Sequence, residues 1–81
     1  MLGVPERDRR EEFRLRVIAR MRETSADLPT LAILFTGVVR PNLLAVWRNR
    51  GRIRPIAPGG DRYWIGDVLD EVAAMRAAKA A

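Results

Sequence analysis

Apolar residues recur at helical spacing in the first quarter of the chain. Phe13, Val17 and Met21 fall at i, i+4 and i+8 with Ile18 beside them, and charged residues fill most of the positions between. Pro5 suits a first turn, Glu6 and Asp8 suit the positive end of a helix dipole, and Arg20 and Arg22 suit its negative end. The pattern predicts an amphipathic helix over residues 5–24, serving either as a helix laid on the core or as a dimerisation or partner helix. Thr24-Ser25-Ala26-Asp27 breaks it. Asp27 reads as a cap for a second helix with Pro29 in its first turn, covering residues 29–36. That segment is apolar nearly all round, which predicts burial. Gly37 ends it, Val38 and Val39 fill a turn, and Pro41 opens a third helix over residues 41–50.

In the third helix Leu44 and Trp47 share one face, with Leu43 beside them. Asn42, Ala45, Val46 and Asn49 fall largely on the other faces. Gly51 stops the helix. Residues 52–57 alternate polar and apolar, as a half-buried strand does, although Pro55 confines such a strand to an edge. Pro58-Gly59-Gly60-Asp61 signals a turn, and Arg62-Tyr63-Trp64-Ile65 reads as the returning strand, with Tyr63 or Trp64 packing the ribbon on the helices. Asp67 reads as the cap of a last helix with Val68, Leu69, Val72 and Met75 on its apolar face, and the tail from Arg76 onward reads as frayed.

Charge sharpens this picture. The net charge of the 81 residues is +5, and it is not spread evenly. Residues 1–39 hold seven Arg against six acids, and residues 65–81 hold two cations against three acids. Residues 40–64 hold Arg40, Arg48, Arg50, Arg52, Arg54 and Arg62 against Asp61 alone. The surplus therefore sits on the third helix and the predicted hairpin, where it is either a solvated basic face or the footprint of a polyanion. Asn side chains on the same helix suit bidentate pairing with adenine, and arginines beside them suit phosphate clamps.

The chain has no Cys and no His, which removes thiolate nucleophiles, disulfides, and the commonest general base and metal ligand. No constellation supports an enzyme, and no cofactor is expected. The glycines of Pro58-Gly59-Gly60-Asp61 lack the Lys of a phosphate-binding loop, so the segment reads as a turn tip. Asp67, Asp70 and Glu71 lie where a helix start favours acids, so no metal is assigned to them. No apolar run reaches membrane-spanning length, the first residues lack a signal-peptide pattern, and the mixed charge of the first helix disfavours a membrane surface. The expected location is cytoplasmic, associated with the nucleoid.

Segment 28–72 resembles the winged-helix DNA-binding domain of the MerR superfamily, in particular its minimal single-domain members, the phage excisionases and BldC-type regulators. The resemblance rests on Gly37-Val38-Val39-Arg40-Pro41, on Trp47 followed four residues later by Gly51, on Arg52-Ile53, on Gly59-Gly60-Asp61-Arg62-Tyr63, and on Trp64-Ile65-Gly66-Asp67-Val68-Leu69. It implies a mainly α fold, a small winged helix-turn-helix in the order helix, helix-turn-helix, two-stranded β wing, helix. Residues 1–26 would be an N-terminal helical extension and residues 27–81 the winged domain. It further implies a double-stranded-DNA-binding transcription regulator or excisionase-like architectural factor of phage or mobile-element type, cooperative self-association on repeated sites, and no small-molecule effector. Helix 41–50 would enter the major groove and the wing, residues 52–65, would lie on the backbone or minor groove. The residues so assigned to DNA are Arg40, Asn42, Leu43, Val46, Arg48, Asn49, Arg50, Arg52, Arg54 and Arg62. The chain departs from the family pattern at Val46, where Arg is common, at Leu43, where Thr is common, and in a turn Gly one residue further from the Trp. Val46 and Leu43 also motivate an alternative, a protein-interaction adaptor that keeps the fold without reading DNA, with the first helix offering a second partner surface.

Overall fold

The computed structural model describes residues 6–80. Four helices and two short strands follow in the order α1 (Glu6–Ala19), β1 (Ser25–Asp27), α2 (Leu28–Leu34), α3 (Pro41–Asn49), β2 (Arg62–Trp64) and α4 (Ile65–Ala80). The molecule is thus small and mainly helical, with one two-stranded antiparallel sheet. The two strands come from opposite sides of the helix pair α2–α3. Ser25 faces Trp64, Ala26 faces Tyr63 and Asp27 faces Arg62.

This pairing corrects the expected hairpin. Residues 52–57 form no strand, and β2 pairs with β1 instead. The reason lies in the prolines. Pro55 has no N–H to give a ladder, and the segment reaches β2 through a single bond, from Ile56 N to Arg62 O at 2.9 Å. The turn itself is where the sequence placed it. Gly60 N donates to Ala57 O at 2.9 Å, with Pro58 and a positive-φ Gly59 between them, the signature of a type II turn. What connects α3 to β2 is therefore a loop closed by a turn and one bond.

Helix boundaries follow local chemistry. Asp27 caps α2 as expected: its Oδ1 accepts from Thr30 N at 2.9 Å, and Pro29 lies in the first turn. The hydrogen bond holds the Asp27 carboxyl below its ordinary value of 3.8, and Arg62 nearby adds to the effect. At the far end Thr36 Oγ1 donates back to the carbonyls of Ala32 and Ile33, at 3.1 and 2.7 Å. Helix α3 ends in a Schellman motif, with Gly51 at φ 72°, Gly51 N bonded to Arg48 O and Arg52 N bonded to Trp47 O. Asp67 does not cap α4. The helix starts two residues earlier, and its leading N–H groups at Ile65 and Gly66 donate to the carbonyls of Thr24 and Arg22. Nor is the tail frayed from Arg76: α4 runs to Ala80, and Arg76 pairs with Glu11 of α1 at 3.2 Å.

One cluster forms the core. Leu31 and Phe35, Val39, Leu44 and Trp47, Ile53, Tyr63, and Ile65, Val68, Leu69 and Val72 are all buried in it. Tyr63 supplies the packing of β2, while Trp64 stays 41% exposed. Helix α1 contributes Ile18 to that core, with Leu15 and Met21 packed against it. The expected stripe on α1 is rotated as a result, because Phe13 and Val17 face outward. Helix α2 is likewise not buried all round, since Ile33 is exposed. No helix among the described residues is long and apolar enough to cross a membrane.

Candidate nucleic-acid interface

Helix α3 has two unlike faces. Leu44 and Trp47 are buried and fix its orientation. Opposite them Asn42, Val46 and Asn49 are exposed. At 100° per residue these three, spaced i, i+4 and i+7, form one outward stripe. Ala45 and Leu43 lie at its margins, both half-buried, and Leu43 packs against the core so that only part of its side chain reaches the surface. Pro41 starts the helix at no hydrogen-bonding cost, with Arg40 before it in extended conformation.

Arginines precede and follow this stripe along the chain. Arg40, Arg48, Arg50, Arg52, Arg54 and Arg62 are all exposed, but their surroundings differ. Arg40, Arg50 and Arg54 have no ion pair or side-chain hydrogen bond among the described residues. Arg48 makes only a long contact, its Nε lying 3.4 Å from Asn49 Oδ1. Arg52 pairs with Glu71 of α4 at 3.6 Å, which partly neutralises it. Arg62 is held most firmly. Its Nε donates to Ser25 Oγ at 3.1 Å and its Nη2 to Ser25 O at 2.8 Å. Guanidinium offers five donors, so Arg62 keeps some facing outward, in an orientation fixed by β1.

Of the ten sequence-assigned residues, Arg40 directly precedes α3, Asn42, Leu43, Val46, Arg48 and Asn49 lie on it, Arg50, Arg52 and Arg54 lie in the following loop, and Arg62 lies on β2. Among the described residues only Arg52 of the six arginines is paired with a carboxylate, and Arg62 is oriented by the hydroxyl and carbonyl of Ser25. Asp61 is the only acid in residues 40–64, and it forms no ion pair among the described residues. Sequence reasoning missed Ser25 and Glu71, which govern Arg62 and Arg52. Ser25 lies 37 residues from Arg62, and a three-residue strand carries no periodic signal. In the sequence Glu71 stands with Asp67 and Asp70 as part of an acidic helix start; its contact with Arg52 depends on α4 lying beside the loop.

A face of this kind can grip a polyanion through its arginines and present amides to whatever lies between the grip points. No protein-family model, curated protein or solved structure matches the chain.

Proposed function

We propose that this chain is a small winged helix-turn-helix protein that binds double-stranded DNA, acting as a transcription regulator or an excisionase-like architectural factor. In this reading α2, the turn at Gly37 and α3 are the helix-turn-helix, and the loop 50–61 with β2 is an abbreviated wing. The observation that carries it is the outward stripe Asn42, Val46, Asn49 flanked by arginines that lack carboxylate partners. Amides suit base edges, and the arginines suit the phosphates on either side. The resemblance of segment 28–72 to MerR-type winged domains supports the same assignment.

A mobility-shift titration on random-sequence duplex at about 50 and 200 mM salt tests it. With four to five arginines meeting phosphates, the log–log salt slope is roughly −4. No binding at the lower salt would sink the reading. On a selected site, Asn42→Ala is expected to lose roughly 1–3 kcal/mol of discrimination between bases, with little change on random DNA. Equal loss on all sequences would remove Asn42 from base contact.

A further inference from the structure

Within the outward stripe of α3, Val46 alone has a side chain that can neither give nor take a hydrogen bond. It is 37% exposed, and half-buried Leu43, three residues earlier, widens the same apolar spot. Asn42 and Asn49 lie on either side of it along the helix axis. The two amides are about 10 Å apart at the helical rise, and the three side chains fall within a sector of about 60°. Arg48 lies about 100° outside that sector, and α3 contains no acid. The stripe itself therefore carries neither a guanidinium nor a carboxylate. Its two amides also differ. Asn49 Oδ1 already accepts from Arg48 Nε at 3.4 Å, whereas the Asn42 side chain has no hydrogen bond among the described residues.

With the stripe turned to the base edges of the major groove, each kind of base meets a different chemistry. Guanine offers acceptors that suit Arg or Lys, and cytosine a donor that suits a carboxylate. The stripe supplies no such partner. Val46 set against guanine O6 or cytosine N4 would strip water from a polar group and return no bond, which is unfavourable. Thymine alone adds an apolar group to the groove, its 5-methyl, and against that Val46 buries apolar surface on both sides. The separation of the two amides matches about three base-pair steps of 3.4 Å, so at least one base pair lies between the bases they meet. We infer that α3 selects thymine at that intervening position, with the Val46 isopropyl group packed on the 5-methyl; the inference rests on the double-stranded-DNA reading and goes beyond it. Val46 is uncharged and adds nothing at the phosphates, so it discriminates between sites without anchoring the protein to DNA in general.

A preferred site is first selected from a random duplex library with the native chain. Each thymine in it is then replaced singly by uracil, which removes the 5-methyl and nothing else. Affinities for the thymine and uracil duplexes are measured by mobility shift for the native chain and for Val46→Ala. At one thymine, uracil is expected to weaken the native chain about fourfold, the value of one buried methyl group. Val46→Ala is expected to bind the thymine and uracil duplexes about equally, and to match the native chain on random duplex. Thermal unfolding of Val46→Ala checks that the fold is intact. Failure to select any site, a selected site without thymine, no uracil effect at any thymine, or an effect of the same size in Val46→Ala would each overturn the proposal while leaving duplex binding intact. Absence of binding to random duplex at about 50 mM salt would instead remove the DNA reading, and this proposal with it.

Discussion

The arginines on the α4 side of the molecule and those around α3 are the same residue in opposite employment. Beside α4, Arg22 meets Asp70 at 2.6 Å, Arg76 meets Glu11 and Arg52 meets Glu71. Each of these cations links two elements that are distant in sequence. Around α3, Arg40, Arg48, Arg50 and Arg54 have no carboxylate partner among the described residues. Exposed pairs contribute little stability, about 0–1 kcal/mol each, so the first group positions rather than stabilises. Composition alone shows an arginine-rich chain; the acids decide which arginines remain available.

The largest effect belongs to the inward face of α3. Trp47→Ala should cost about 3–5 kcal/mol of stability, while Val46→Ala on the outward face should change it by less than about 0.5 kcal/mol. Thermal unfolding reads both, and a large loss at Val46 would mean that the stripe is not a free surface. Next comes the unpartnered set. Replacing Arg40, Arg50 and Arg54 together by Ala should weaken duplex binding on every sequence and flatten the salt slope by about three, with unfolding little changed. The same slope for native and triple variant would remove these residues from phosphate contact.

Glu71→Gln tests the boundary between the two groups. It releases Arg52, so the salt slope should steepen by up to about one, while stability falls by less than about 1 kcal/mol. A flatter slope would mean that Glu71 holds Arg52 in its binding position. The smallest effect concerns the Asp27 cap. Its carboxyl titrates below the ordinary value of 3.8 because Thr30 donates to it, so the stabilisation is complete above that value and is lost as pH falls through the lower folded value. Asn retains the cap without the titration. Asp27→Asn should therefore lose less stability than the native chain between pH 5 and pH 2 (~3 units spanning ordinary carboxylate titration), and identical acid profiles would remove Asp27 from the linkage.

Features set by neighbours within a few residues were legible in the sequence. Asp27 with Pro29, the turn at Gly37, Pro41, the Leu44–Trp47 pair, Gly51 and the Pro58–Gly59 turn all stand where local chemistry put them. Features set by distant partners were not. The spacing of Phe13, Val17 and Met21 predicts one stripe, but α1 ends at Ala19, Phe13 and Val17 face outward, and Leu15, Ile18 and Met21 pack on the core. Residues 52–57 alternate as a strand would, and their alternation survives as a buried Ile53 between exposed Arg52 and Arg54. Alternation reports a burial rhythm, not a ladder, and Pro55 denies the ladder. The arginines of the candidate interface were legible one by one, but their ranking depends on Ser25 and Glu71, which no local pattern reveals.

The pairing of Ser25–Asp27 with Arg62–Trp64 has one more consequence. Everything between those strands, α2, α3 and the arginine-rich loop, is one excursion of the chain clasped at its base. Closing a loop of about 35 residues costs roughly 3 kcal/mol of chain entropy, and each doubling of its length adds only about 0.6 kcal/mol. The clasp must therefore be made against most of that cost before α3 is held in place, which makes it the slow, non-local event of folding. Once it is made, residues inserted at the Pro58–Gly59 turn are nearly free. Added residues there would extend the reach of the basic loop and leave the clasp, and the helices between, as they are.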